Sequence, residues 1–233
     1  MPGTAPTRSS LVRATAAAVL DLVFPPRCAA CGAGTDAEPF CPVCADALEP
    51  VPPGCATCGL PGPLPRCGAC EADPPAFDAV RAAGLFGGPL ADAIHRLKYR
   101  DRPALARPLG AWLARAVPLP AGAAVVSVPL ARGRRIARGY DQAALLADRL
   151  ARGAGRPRLR AALARVRETP PQVGRTRAER LRNVAGAFRA AAAVRGRDLV
   201  LVDDVVTTGA TASAAADALR RAGARSVTVV ALA

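Results

Sequence analysis

All eight cysteines of this 233-residue chain lie between positions 28 and 70, in four C-x2-C pairs reading CAAC, CPVC, CATC and CGAC. The spacing repeats: Cys28, Cys31, Cys41 and Cys44 recur as Cys55, Cys58, Cys67 and Cys70, displaced by 27 or 26 residues. A C-x2-C turn brings two sulfurs to one side of a tight loop, and two such turns supply the four tetrahedral thiolates that zinc takes. The repeat therefore reads as two structural zinc sites. Disulfides are the competing use of eight cysteines, and pairing this regular speaks against them. A redox C-x-x-C sits between a strand and a helix of a βαβ unit, which none of the four pairs does. A zinc deaminase needs an upstream H-x-E, whereas the one histidine, His95, follows every cysteine. Spacing leaves the ligand partition open between two sequential sets and a cross-brace that alternates pairs. Thiolate ligands imply a reducing compartment, so the expected location is cytoplasmic. Seven prolines between positions 52 and 75 exclude long helices and central strands from this segment.

After Pro75 to Phe77 the pattern changes to strands alternating with helices. Residues 79–86 read as a strand and 89–99 as a helix with Ile94 and Leu97 inward. Residues 123–130 read as a buried strand, and 141–151 as a helix whose Leu145, Leu146 and Leu150 share one face. Strand, helix and strand follow over 198–204, 211–223 and 226–233. Such alternation predicts an α/β fold, a parallel sheet with helices on both faces and ligands at the carboxyl ends of its strands. The expected organisation is a lead-in with a short amphipathic helix over 1–27, a double four-cysteine module over 28–76 and an α/β domain over 77–233. The lead-in is not read as a secretory signal, because Asp21 interrupts its apolar run and no small-residue cleavage site follows. No stretch approaches the roughly 18 uninterrupted apolar residues of a membrane span.

Charge is distributed unevenly. The formal net charge is +14, yet residues 1–77 carry four basic and seven acidic side chains, so the α/β part holds the whole excess. Residues 132–197 alone hold eighteen arginines against four acids. A surface of this kind attracts phosphates or nucleic acid. Of the 32 basic residues only Lys98 is a lysine, so part of the arginine excess is ordinary solvated surface.

The stretch LVLVDDVVTTGAT, residues 199–211, carries the chemistry. An apolar strand ends in Asp203 and Asp204, and the loop of Val205, Val206, Thr207, Thr208, Gly209, Ala210 and Thr211 leads into a helix. Amides of a helix's first turn, with threonine hydroxyls beside them, hold a phosphate, and glycine allows close approach. Two carboxylates one loop-length away can accept hydrogen bonds from vicinal sugar hydroxyls and help hold a divalent cation. The stretch is shaped for a phosphorylated ribose. A P-loop NTPase is excluded, since the chain contains no Gly-Lys pair.

These thirteen residues resemble the phosphoribosyl pyrophosphate (PRPP) motif of type I phosphoribosyltransferases. Beyond them, a cysteine-pair module, then HRLKYRDRP, VPLARGRRIARGYDQAALLA, RETPPQVGRTRAERLRNVAGAF and the terminal PRPP motif, in this order, resemble the ComF family of bacterial competence-type proteins. The resemblance implies a type I phosphoribosyltransferase-like sheet behind a small zinc-ribbon module, with PRPP and magnesium as ligands. Asp203 and Asp204 would hold the ribose hydroxyls, and residues 205–211 the 5′-phosphate. Lys98, Ser127, Arg134, Arg135, Arg138, Gly139 and Gln142 would face the pyrophosphate, and Gln172, Arg177, Arg180 and Asn183 would belong to a hood over it. Asp141, where the family commonly has Asn, is not counted as a phosphate contact, and His95 is read as a helix-surface residue. The implied activity is transfer of phosphoribose to an unidentified acceptor, linked to DNA uptake. The alternative is a non-catalytic competence factor that binds single-stranded DNA on the same fold.

Overall fold

The computed structural model describes residues 25–36, 38–63, 65–99, 102–168 and 183–233. The expected N-terminal helix falls almost wholly on residues outside that set. Two short helices, α1 (Pro42–Asp46) and α2 (Gly68–Ala72), each start beside a cysteine of the second pair of their repeat. Then follow β1 (Ala79–Ala82), α3 (Gly88–Tyr99), α4 (Ala106–Ala116), β2 (Ala124–Ser127), α5 (Arg132–Arg138) and α6 (Gln142–Gly153). A short antiparallel pair, β3 (Leu163–Arg165) and β4 (Phe188–Ala190), precedes β5 (Asp198–Val202), α7 (Ala210–Arg221) and β6 (Ser226–Ala231).

The main sheet is parallel throughout, in the order β1-β6-β5-β2. Its strands are apolar on both faces because both faces are covered. Alternation sorts them: Val125, Val200, Val202 and Val230 enter one core, while Val126, Leu199, Leu201 and Val229 enter the other. The first core is closed by α3, α4 and α6, and the second by α7 and the β3–β4 pair. On α3 the buried positions are Leu90, Ala93, Ile94 and Leu97, the spacing of one helical face. Truncating a fully buried leucine such as Leu97 to alanine costs about 2–5 kcal/mol. Gly110 lets α4 approach α6 closely, since a Cβ there would lie 2.6 Å from Cβ of Arg149.

Strand β1 is shorter than the run 79–86 suggests. Its ladder nonetheless continues past Ala82, with the amides of Ala83 and Gly84 donating to Ala231 and Leu232. Helices α4 and α5 and the β3–β4 pair are elements that the sequence pattern left unread.

The cysteine repeat is a repeat of hydrogen bonds as well as of residues. The amide of Cys28 donates to Ala33 at 2.7 Å and that of Gly32 to Cys28 at 3.0 Å. The matching bonds, Cys55 to Leu60 and Gly59 to Cys55, are 2.9 and 2.8 Å. The two units sit differently on the body. Cys28, Ala29, Ala30, Phe40, Cys41 and Cys44 belong to the first core, where Phe40 meets Trp112 edge-on and Arg96 of α3 donates to the carbonyls of residues 28–30. The second unit lies along the sheet edge, where the amide of Val80 donates to Thr57.

Candidate functional site

The carboxyl ends of β5 and β2 open onto a pocket of about 210 Å³. Asp203 and Asp204 stand immediately after β5, and each carboxylate folds back on the chain. Asp203 accepts from the amide of Asp204 at 2.9 Å, and Asp204 from that of Val205 at 2.8 Å. The second oxygen of Asp204, Oδ2, is buried and lies 3.1 Å from Nζ of Lys98, carried by the last turn of α3. Burial, followed by the charge of Asp204, pushes the Asp203 carboxyl well above the usual carboxylate range. Arg134, Arg138, Arg165, Gln142 and Tyr99 line the same pocket. Burial lowers the pKa of Arg165, and the neighbouring charge of Arg134 acts in the same direction. Two carboxylates and a group of cations thus share one cavity, an arrangement suited to a ligand that carries both hydroxyls and anionic oxygens.

Past Asp204 the chain turns around a second cavity of about 50 Å³, lined by Asp203 and residues 205–212. Gly209 caps α7 with φ at +73°, in the left-handed region, and a Cβ there would meet the Phe77 ring at 3.4 Å. The amides that open α7 border this cavity together with Thr207, Thr208 and Thr211.

The structure gathers most of the sequence-derived candidates and separates a few. Lys98, Arg134, Arg138, Gln142, Asp203, Asp204 and Thr211 line the larger pocket, with Val128, Pro129 and Leu130 from the loop after β2. Ser127 does not line it; its hydroxyl accepts from Arg158 at 2.8 Å, and Arg158 is paired with Asp148. Arg135 is exposed on α5 and lines neither cavity. Gly139 is the left-handed C-cap of α5, with φ at +77°. Gln142 is buried and accepts from Arg138. Asn183 accepts from Arg167 through its carbonyl oxygen. Gln172, Arg177 and Arg180 lie outside the described residues. Asp141 serves as N-cap of α6, accepting from Ala144, and also from Leu130, so its carboxylate orders the pocket's loop. Arg165 and Tyr99 are pocket residues that sequence reasoning missed. Arg165 stands alone as a cation in the apolar run ALARV, and that isolation was the available signal.

Among the described residues, two groups of cysteines converge: 28, 31, 41 and 44, and 55, 58, 67 and 70, each with all sulfurs within 4.8 Å of one another. The sequential partition is the one formed. Cys31 and Cys41 sulfurs are 3.7 Å apart, and those of Cys58 and Cys67 3.6 Å. A tetrahedron with zinc–sulfur bonds of about 2.3 Å places its sulfurs about 3.8 Å apart, so both groups fit the ion. Burial by itself would raise the Cys28 thiol, but the amides around it outweigh burial and bring it to about 6. Amides at residues 57, 58 and 67 likewise hold Cys55 at about 6. Each group therefore contains one sulfur prepared as a thiolate.

Comparison with known proteins agrees with this division of the chain. Residues 19–72 match the family described as a double zinc ribbon domain, and residues 138–233 the phosphoribosyl transferase domain family. DNA utilization protein YhgH of Salmonella typhi is 36% identical over 199 residues, which is 82% of this chain and 88% of the relative. The chain belongs to the ComF family. Competence protein F of Haemophilus influenzae, another ComF-type relative, is 33% identical over 193 residues, covering 78% of this chain and 84% of that one. Among solved structures, glutamine PRPP amidotransferase from B. subtilis, complexed with ADP and GMP, overlaps 59% of this chain and 30% of its own, with 24% identity and a TM-score of 0.42. The parallel sheet with helices on both faces and the N-terminal zinc-ribbon module are those expected of a ComF chain. Among the described residues, no helix is long and apolar enough to cross a membrane.

Proposed function

We propose that this ComF-family protein binds PRPP with magnesium in the pocket at the ends of β5 and β2, and serves DNA uptake through that ligand. The observation that carries the reading is the gathering of Asp203, Asp204, Lys98, Arg134 and Arg138 around one pocket, with the loop cavity of residues 205–212 alongside. In this reading the carboxylates accept from the ribose 2′- and 3′-hydroxyls. Residues 205–211 hold the 5′-phosphate, through the α7 amides and the threonine hydroxyls. Lys98, Arg134 and Arg138 take the diphosphate. The residues present suit magnesium: the Asp203 and Asp204 carboxyls are adjacent, burial raises the Asp203 pKa well above the usual carboxylate range, a cost that a nearby cation would offset, and Oδ2 of Asp204 is buried beside a single ammonium. Asp203 and Asp204 would hold the ion, whose contribution is to neutralise charge on the diphosphate.

If phosphoribose is transferred, departure of diphosphate leaves positive charge on the sugar, and the protein's part is electrostatic. The three cations stabilise the leaving group, and the two carboxylates lie on the sugar's side. Calorimetric titration of PRPP with magnesium tests the reading. Asp204→Asn should weaken binding about ten- to a hundredfold through the lost charge-assisted bonds. Equal affinity of the variant and the parent would refute it.

A second reading, binding of single-stranded DNA, is favoured by α5. Its Arg132, Arg134 and Arg135 are exposed next to the pocket mouth, a cationic surface that phosphates would follow. The thiol chemistry of both zinc groups suits a cytoplasmic setting for either reading.

A further inference from the structure

The chain is poor in aromatic residues, with five Phe, two Tyr and one Trp. Among the described residues most of these rings are buried or half-buried, and two are exposed: Phe86 at 52% and Tyr99 at 72%. They are not scattered. Both flank His95, itself exposed on α3, with ring centroids 5.9 Å from Phe86 and 6.3 Å from Tyr99. The guanidinium of Arg138 lies over the Tyr99 ring, 5.3 Å from its centroid. The row therefore runs Phe86, His95, Tyr99, Arg138.

Its two ends are significant. Tyr99 and Arg138 line the 210 Å³ pocket. Phe86 lines a larger groove of about 780 Å³ between the second zinc unit and the sheet edge, which also reaches Thr207 and Thr208. The helix period alone puts His95 and Tyr99 on one face, and it does not require either to stay in water. Exposing apolar rings in a row forgoes the burial that most aromatic side chains obtain in a folded chain.

We propose that Phe86, His95 and Tyr99 form a stacking rail for the bases of single-stranded nucleic acid, leading to the mouth of the phosphate pocket. The inference rests on the nucleic-acid reading above. Stacking platforms beside a cationic track are how unpaired strands are held without sequence preference. Here Lys98, Arg134 and Arg138 supply the cations at the Tyr99 end. Asp92 on α3 and Glu49, which approaches Gly87, border the other end, where rings rather than phosphates make the contact. The occupant is thus a strand whose backbone passes the arginines and whose bases lie on the rings.

The test is fluorescence anisotropy at low salt. It uses a short labelled oligodeoxynucleotide and a strand of equal length lacking its bases, with the full chain and with Phe86→Ala, Tyr99→Ala, Phe86→Tyr and Tyr99→Phe. Each alanine should weaken binding of the base-bearing strand about five- to a hundredfold. The abasic strand should bind parent and alanine variants alike, and the ring-preserving variants should keep the parent's affinity. Alanine variants that bind the base-bearing strand like the parent, or weaken both strands equally, would overturn the rail and leave the nucleic-acid reading standing. Failure of the parent to bind either strand would remove that reading, and the rail with it. Unchanged melting temperatures for the alanine variants, expected at such exposed positions, separate either result from unfolding.

Discussion

Lys98 and Asp204 form the pair on which the pocket's electrostatics turn. The Asp204 side chain is 6% exposed and that of Lys98 19%, so removing the ammonium strands a buried carboxylate. Lys98→Met should therefore lower unfolding free energy by about 1–3 kcal/mol in denaturant melts. Asp203 behaves in the opposite sense. Its folded pKa lies above the unfolded value, so the native state binds more protons and stability falls as pH rises between the two values. At neutral pH Asp203→Asn should raise Tm, by about 2–4 °C for each kcal/mol relieved, while weakening PRPP binding. A Tm unchanged between pH 4 and pH 7, compared with the Asn variant, would contradict this. Both acids were legible in the sequence because strand, acids and threonines are contiguous. Lys98 was legible through its motif, and Arg165 offered only its isolation in an apolar run, because it comes to the pocket on a three-residue strand that no periodicity announces.

At the level of elements, apolar runs announced β5 and β6, and the 3.6-residue spacing announced α3 and α6. Helix α4 carries Pro108 and Gly110, residue types that weaken a helical pattern, yet Pro108 falls in its first turn and Gly110 serves close packing. The zinc units were legible as a repeat, but their unequal attachment was not, since it depends on Arg96 and Trp112 from distant elements. That inequality has a consequence. Cys28 is part of the first core, whereas Cys55 lies in neither core. Cys28→Ser should lower the main calorimetric transition, while Cys55→Ser should leave it in place and lose one zinc. Identical melting curves for the two variants would contradict the packing described.

For the whole molecule, two four-sulfur groups predict two zinc ions per chain by metal analysis, and chelation should lower the stability of the α/β body as well as of the ribbons. A single ion, with four thiols freely titratable, would contradict the sequential groups. The basic excess lies entirely beyond residue 77, and of its cations Lys98, Arg134, Arg138 and Arg165 line the pocket that also holds Asp203 and Asp204. Composition disclosed the excess; only the fold shows that Arg134 and Arg138 line the pocket with the acids while Arg135 does not. The most direct test is a crystal structure of the full chain soaked with PRPP and magnesium. Density should put the 5′-phosphate within residues 205–211, the ribose hydroxyls on Asp203 and Asp204, and the diphosphate against Lys98, Arg134 and Arg138. Ligand density elsewhere, or none at saturating PRPP, would contradict the account.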